Sequence, residues 1–204
     1  MLKVCGLNNE ENVMSILALK PEMMGFIFYA KSARNCTLSS QFFKNTDFGT
    51  TRKVGVFVNE SLSKIVKIHK EYQLDLVQLH GSESVEYCMF LKELGINIIK
   101  VFSIGDEFDF NETKDFQLAT YFLFDTKGKL PGGNGVQFDW KLLSKYRGST
   151  RFLLSGGIGP DHQEFELTGI HAACAGVDIN SRFELSPGLK DIELIKEFKG
   201  KQKS

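Results

Sequence analysis

The stretch Arg151-Phe-Leu-Leu-Ser-Gly-Gly-Ile-Gly-Pro160 decides the fold class of this 204-residue chain. It begins as an apolar strand, turns at Gly156-Gly157 and reaches a helix start at Pro160-Asp161. A second apolar strand that ends in a polar turn follows soon after it, in Ala175-Gly-Val-Asp-Ile-Asn-Ser181. In an open doubly wound sheet, the rival architecture, the glycine-rich turn normally follows the first strand. The late position of these turns therefore favours a closed barrel.

Short apolar runs alternate with longer amphipathic segments through the whole chain. The runs lack polar alternation, which is typical of parallel strands that are covered on both faces. The predicted strands are Leu2–Cys5, Gly25–Tyr29, Val54–Val58, Leu74–Leu79, Ile96–Phe102, Tyr121–Asp125, Arg151–Ser155 and Ala175–Ile179. The predicted helices cover residues 11–19, 62–72, 84–94 and 192–198, with a weaker one within 106–118.

Eight strand–helix units in 204 residues amount to about 25 residues per unit, which is compact for a (β/α)8 barrel. We therefore predict an α/β protein with one (β/α)8 TIM-barrel domain over residues 1–204, including a frayed tail at 199–204. The 18 phenylalanines are expected to pack between the barrel and its helices.

The composition argues against several classes of protein. Twenty-five Lys and Arg balance 25 Asp and Glu, so the polybasic footprint of a nucleic-acid or membrane-surface protein is missing and any bound anion must be held locally. The four cysteines have no C-x-x-C spacing, and no cluster of His and carboxylates indicates a metal site. No secretory signal or membrane-spanning run is apparent, which favours a cytoplasmic protein.

Residues that end barrel strands form the active-site face of such a fold. In this chain they are Cys5, Arg34 with Ser32, Asn59, His80, Ser103, Asp125, Ser155-Gly156-Gly157 and Asp178-Ile179-Asn180-Ser181. The loops after strands seven and eight are common phosphate sites, because paired glycines let backbone N–H groups approach an anion. An isolated pair of glycines would instead indicate only a tight turn.

Cys5 and Asp125 each have a structural alternative. Asp125 closes an apolar run, a setting that favours a protonated carboxylic acid, but a helix cap or salt-bridge partner is as common. Cys5 needs a nearby cation or backbone donors to act as a thiolate. Otherwise it is a buried small apolar side chain, the interpretation adopted for Cys36, Cys88 and Cys174.

Three further features also have both a functional and a structural interpretation. They are Arg34, His80 and the segment Lys129-Leu-Pro-Gly-Gly-Asn-Gly135. Arg34 is either solvated or a fork for a planar carboxylate. His80 taken alone is more often a hydrogen-bonded structural residue. The glycine-rich segment is either a lid over the site or a surface loop.

Taken together, the motifs resemble one family, the phosphoribosylanthranilate isomerases of tryptophan biosynthesis, over nearly the whole chain. They are Lys3-Val-Cys-Gly6, Gly25-Phe-Ile-Phe28, Ser32-Ala-Arg34, Val54-Gly-Val-Phe57, Val77-Gln-Leu-His-Gly81, Phe124-Asp125, Gly132-Gly-Asn-Gly135 with Phe138-Asp-Trp140, Leu154-Ser-Gly-Gly157, and Gly176-Val-Asp-Ile-Asn-Ser181 through Pro187-Gly-Leu-Lys-Asp191. The chain departs from the family pattern at Ala33, where proline is usual, and at Arg182, where glycine is usual.

The resemblance implies a cofactor-free and metal-free Amadori rearrangement of a phosphorylated small molecule by a monomer or homodimer. It implies that Asp125 is the general acid and Cys5 the general base. Arg34 would bind the anthranilate carboxylate, and His80 would orient the substrate or the catalytic pair. Phosphate contacts and substrate orientation would come from Gly156, Gly157, Asp178, Asn180 and Ser181.

Three rival functions stay open at this point. A sugar-phosphate epimerase would generally need a metal site. The related histidine-pathway isomerase resembles this barrel but has a carboxylate where Cys5 stands. A non-catalytic binder would keep the phosphate site and lose the chemistry, against which the presence of both Cys5 and Asp125 argues.

Overall fold

The computed structural model describes residues 1–126 and 138–200, apart from the side chains of residues 164 and 165. The described residues form a closed barrel of eight parallel strands that pair in sequence order. They are β1 (Leu2–Cys5), β2 (Met23–Ile27), β3 (Arg52–Phe57), β4 (Leu76–Leu79), β5 (Ile98–Ile104), β6 (Tyr121–Thr126), β7 (Phe152–Leu154) and β8 (Cys174–Ile179). Lys3 pairs with Met23 on one side and Asp178 on the other, which joins the first strand to the last. The predicted barrel is confirmed.

Helices follow most strands, and a hairpin follows the last one. The helices are α1 (Glu10–Ala18), α2 (Ser40–Asn45), α3 (Leu62–Glu71), α4 (Val85–Glu93), α5 (Glu164–Gly169) and α6 (Ile192–Gly200). Three 3₁₀ helices cover Phe110–Phe116, Trp140–Lys145 and Ser181–Phe183, and the hairpin consists of β9 (Glu184–Ser186) and β10 (Leu189–Lys190). Asn9, Ser39 and Ser84 cap α1, α2 and α4, and each side chain accepts the backbone N–H of the third residue of its helix.

Several predicted boundaries differ from the structure. The second strand lies two residues earlier than predicted, and the fifth lies two residues later. The helix expected at Pro160-Asp161 begins at Glu164, and the weak helix within 106–118 is a 3₁₀ helix. Helix α2 was not predicted. The last helix runs to Gly200, and residues 201–204 of the predicted tail lie outside the described residues.

The buried face of α4 also differs from its prediction. The apolar residues Val85, Met89, Leu91 and Leu94 predict one buried face for this helix, but Met89 and Leu94 are about half exposed, whereas Cys88 and Leu91 are fully buried. Residues 88 and 91 are three apart and lie on one face of the helix, and positions 89 and 94 fall outside it. Cys36, which was expected to be buried, is only half-buried.

Two apolar layers fill the protein, one outside the barrel and one inside it. Outside, Phe124 packs against Tyr146 and Phe152, with ring centroids 5.4 and 4.7 Å away, as predicted for the phenylalanines. The interior cluster is Met23, Val54, Leu76, Ile99, Val101, Leu123 and Leu153, all buried. Since side chains alternate along a strand, Leu123 and Asp125 both face inward and Phe124 faces the helices. Among the described residues, no helix is long and apolar enough to cross a membrane.

Candidate active site

One cavity at the carboxyl ends of the strands brings all the predicted site residues together. It is lined by Cys5, Arg34, His80, Asp125, Gly156, Gly157, Asp178, Asn180 and Ser181. Two other residues near strand ends lie elsewhere. The side chain of Asn59 accepts a hydrogen bond from the backbone N–H of Ser82 at 2.7 Å, and Ser103 lines a neighbouring surface cavity. The predicted lid segment, residues 129–135, lies outside the described residues.

Cys5 ends β1 and faces Gly25 on β2, its partner in the sheet. A Cβ atom at Gly25 would lie 2.6 Å from the Cys5 sulfur, so the thiol has room only because this residue is glycine. Burial raises the pKa of the Cys5 thiol above its ordinary value, while the ammonium groups of Lys3 and Lys190 act in the opposite direction. The resting site therefore holds a thiol next to two cations.

A buried ion pair lies beside the thiol. Lys3 is two residues before Cys5 on the same face of β1, and its Nζ atom lies 2.8 Å from Asp178 Oδ1. Burial lowers the pKa of Lys3, but its interactions with the Asp178 carboxylate and the Cys5 side chain raise it by more, so the net pKa lies above the ordinary value. Lys3 is thus held as a cation. Sequence reasoning missed its role, although a lysine inside an apolar strand is itself a signal, because a buried ammonium requires a partner.

His80 and Asp125 form a second pair across the cavity. His80 Nε2 lies 3.4 Å from Asp125 Oδ2, and Asp125 Oδ1 accepts the backbone N–H of Thr126 at 2.9 Å. Gln78 Nε2 donates to His80 Nδ1 at 3.2 Å. An amide nitrogen can only donate, so this contact keeps the proton of a neutral His80 on Nε2, where it faces the Asp125 carboxyl group.

Arg34 is oriented by an acid that the motif search did not single out. Its Nε and Nη2 atoms donate to Glu184 at distances of 2.9 and 2.7 Å, a bidentate contact that occupies one edge of the guanidinium. Lys190 Nζ donates to the same carboxylate at 2.6 Å and to Asn180 Oδ1 at 2.6 Å. Burial raises the pKa of Glu184, but Arg34 and Lys190 lower it by more, leaving it below the ordinary value. Glu184 thus occupies the Nε–Nη2 edge of Arg34 and not the Nη1–Nη2 edge.

The glycine pair after β7 adopts the left-handed conformation that favours glycine. Gly156 and Gly157 have φ angles of 87° and 72°. A Cβ atom at Gly156 would lie 2.6 Å from the backbone nitrogen of Thr126. Within the described residues, neither glycine N–H donates to a protein acceptor. These groups and the turn at Asn180-Ser181 after β8 form the polar end of the cavity.

The described part of the chain contains no group of three His, Cys, Asp or Glu residues that could hold a metal ion. Two charged side chains that line the cavity are instead paired with neighbours behind it, Asp178 with Lys3 and Arg34 with Glu184.

Comparison with known proteins agrees with the motifs. The sequence matches the family described as N-(5'-phosphoribosyl)anthranilate (PRA) isomerase over residues 2–201. The chain belongs to this family. The PRA isomerase of Parabacteroides distasonis is 42% identical over 202 residues, covering 97% of this chain and 91% of the relative. The resemblance inferred from the motifs is confirmed.

Solved PRA isomerase structures share the fold over almost the full length. The Thermotoga maritima enzyme has a TM-score of 0.80 at 31% identity, with 99% of this chain and 98% of that chain covered. Another PRA isomerase, solved in complex with reduced 1-(o-carboxyphenylamino)-1-deoxyribulose 5-phosphate, has a TM-score of 0.77 at 30% identity and coverage of 97% and 95%.

Proposed function

We propose that this chain converts N-(5'-phosphoribosyl)anthranilate into 1-(2-carboxyphenylamino)-1-deoxyribulose 5-phosphate, an aldose–ketose isomerisation in tryptophan biosynthesis. The observation that carries the proposal is the cavity itself, which is lined by a thiol, a His–carboxylate pair, an arginine and a glycine-lined loop. The substrate has the complementary groups: a carboxylate, a phosphate and the reacting carbons between them.

The first step opens the ribose ring. Asp125, in its protonated form, donates its proton to the ring oxygen while the C1–O bond breaks. The lone pair of the anilino nitrogen forms the C1=N bond, which leaves an iminium ion. His80 orients the Asp125 carboxyl group through its Nε2 atom, 3.4 Å from Oδ2. General acid catalysis of this kind typically contributes a factor of about 10²–10⁴.

The second step moves a proton away from C2. The Cys5 thiolate removes it, the C–H electrons form a C1=C2 bond, and the iminium nitrogen becomes neutral. The resulting enol becomes a ketone when C1 gains a proton and the C2 hydroxyl loses one, so no atom or electron is lost. The positive iminium acidifies the C–H bond, and Lys3 and Lys190 reduce the cost of the thiolate.

Binding groups hold the two charged ends of the substrate. The free edge of Arg34 binds the anthranilate carboxylate, because Glu184 fixes the other edge. The phosphate is bound by backbone N–H groups of Gly156 and Gly157 and by the turn at Asn180-Ser181. Asp178 acts as a positioning residue through its ion pair with Lys3.

A single assay tests the function. Purified protein is mixed with freshly prepared substrate, and the loss of anthranilate-type fluorescence is followed over time. We expect turnover by the wild-type chain without an added metal or cofactor. Saturable binding with no turnover would contradict the proposal and favour a non-catalytic binder. The predicted state, a monomer or homodimer, is tested separately by sedimentation.

A further inference from the structure

Arg182 lies at the phosphate end of the cavity, at the position where the family motif usually has glycine. It follows Ser181 in the 3₁₀ helix after β8 and lines the cavity together with Gly156 and Gly157. Its Nη1 atom donates to the carbonyl oxygen of Gly157 at 2.9 Å. The side chain thus reaches from the loop after β8 to the loop after β7.

The guanidinium of Arg182 packs closely against the loop after β7 and keeps contact with solvent. A Cβ atom at Gly159 would be 2.7 Å from its Cζ atom, and the side chain is 43% exposed. Its acidic neighbour is Asp161, with Nη2 3.4 Å from Oδ1. The Asp161 side chain is 64% exposed, so this ion pair is weak.

The other cations at the cavity are held more tightly. Lys3 lies 2.8 Å from Asp178, and Arg34 lies 2.7 Å from Glu184, in pairs whose acids are almost fully buried. Arg182 is therefore the cation at this cavity whose acidic partner an incoming anion can most easily replace. A phosphate monoester carries about −1.5 to −2 charges at pH 7, and arginine matches phosphate oxygens in a bidentate geometry.

We propose that Arg182 is a substrate-binding residue that donates hydrogen bonds to the phosphate group and adds a full positive charge to a site otherwise built from backbone N–H groups. The inference rests on the proposed function, because it takes the phosphate to lie between the loops after β7 and β8. On binding, the guanidinium keeps its contact with Gly157 and exchanges Asp161 for the phosphate.

A purely structural role makes a different prediction. If Arg182 only braces the loop through Gly157 and Asp161, Arg182→Gln and Asp161→Asn should act in the same direction, lowering the melting temperature together. If Arg182 binds phosphate, only Arg182→Gln weakens substrate binding, because Asp161→Asn removes a competing carboxylate rather than a phosphate ligand.

The experiment measures steady-state kinetics with the full chain, together with the inhibition constant of inorganic phosphate as a competitive inhibitor. For Arg182→Gln we expect KM and the phosphate inhibition constant to rise about 5- to 20-fold, with kcat within about twofold. For Arg182→Lys, KM and the phosphate inhibition constant should be intermediate, because lysine keeps the positive charge but lacks the planar bidentate donor geometry of arginine. Asp161→Asn should leave KM unchanged or lower it. Arg151→Gln, an exposed position just before β7 at the opposite end of the barrel, is the matched charge control and should have no effect.

Two results would overturn the inference. One is an unchanged KM and phosphate inhibition constant in Arg182→Gln while the wild type turns over normally, which leaves the proposed function intact. The other is an equal rise in KM for Arg182→Gln and Asp161→Asn with equal loss of melting temperature. If the wild type does not turn over, the proposed function fails, and calorimetric binding of inorganic phosphate to the same variants still decides the role of Arg182.

Discussion

The interior of this barrel has two ends of opposite character, built by the same strands. At the amino ends of the strands, an apolar cluster that includes Leu76, Leu123 and Leu153 fills the barrel. Two residues further along β4 and β6, Gln78 and Asp125 line a polar cavity. A step of two residues keeps a side chain on the inner face and moves it about 6.6 Å along the strand. That short distance separates the residues of the apolar cluster from the residues that line the candidate active site.

The two ends also differ in what their burial contributes. Apolar burial at the amino end stabilises the fold by about 25 cal/mol per Å². At the carboxyl end, buried charges lose hydration, and their pairing mainly offsets that cost. The ion pairs of Lys3 with Asp178 and of Arg34 with Glu184 therefore do more to fix the positions of side chains than to stabilise the barrel. Substitutions at the two ends should separate stability from activity.

The largest expected effect is the loss of catalysis at the polar end. Cys5→Ser and Asp125→Asn should each lower kcat by a factor of about 10²–10⁴, because each removes one proton-transfer group. Neither change alters side-chain volume much, so the melting temperature should move by no more than a few degrees. Stopped-flow or steady-state fluorescence measures the rate. Wild-type turnover in either variant would contradict the assignment of acid and base.

The buried acid Glu184 is expected to give the next largest effect. Glu184→Gln leaves Lys190 and Arg34 without their acid, and removal of one partner of a buried pair costs about 3–5 kcal/mol. KM should rise as well, because Arg34 loses the contact with Glu184 that holds its guanidinium in position.

The pH dependence of stability gives a separate check on Glu184. Its pKa is lowered in the folded state, so its contribution is present above an ordinary value of about 4.3 and is lost as the pH falls through the folded pKa. Denaturant unfolding between pH 3 and 7 should show that the free-energy gap between wild type and Glu184→Gln narrows towards pH 3. A constant gap would contradict this account.

Leu123→Ala is the matched substitution at the apolar end, on the same strand as Asp125. Removal of a buried leucine typically costs about 2–5 kcal/mol, and about 3 kcal/mol corresponds to a fall of roughly 6–12 °C in the melting temperature. The rate should stay within about threefold of the wild type at a temperature where both are folded. A large loss of kcat in Leu123→Ala would show that the two ends are not independent.

The same contrast explains which parts of the structure could be predicted from the sequence. The barrel could be predicted because its strands are continuous apolar runs and because Gly156 and Gly157 lie late in the chain. The polar residues at strand ends could be predicted as site residues because active sites of such barrels lie at the carboxyl ends of the strands. Their convergence on one cavity followed from the fold rather than from the spacing of any single motif.

The partners of those residues could not be predicted in the same way. Arg34 and Glu184 are 150 residues apart in the sequence. The backbone N–H of Lys190 donates to the side chain of Asn12, which is 178 residues away. No local sequence pattern indicates either contact. The 3₁₀ helix Trp140–Lys145 was missed because six residues are too few to give a helical repeat. The buried face of α4 was misassigned because Met89 and Leu94 are apolar but lie away from the barrel.

The smallest expected effect concerns the pH dependence of the base. Because burial raises the pKa of Cys5, the thiolate fraction at neutral pH is small and grows about tenfold per pH unit. We expect the rate of the proton-abstraction step, which needs the thiolate and not the Asp125 proton, to rise with pH towards and above the ordinary thiol value of about 8.5. Cys5→Asp replaces the thiol by a base that is already ionised at neutral pH, so its lower activity should show no such alkaline rise. If wild type and Cys5→Asp share the same alkaline rise, it belongs to another group, and Cys5 is not the base.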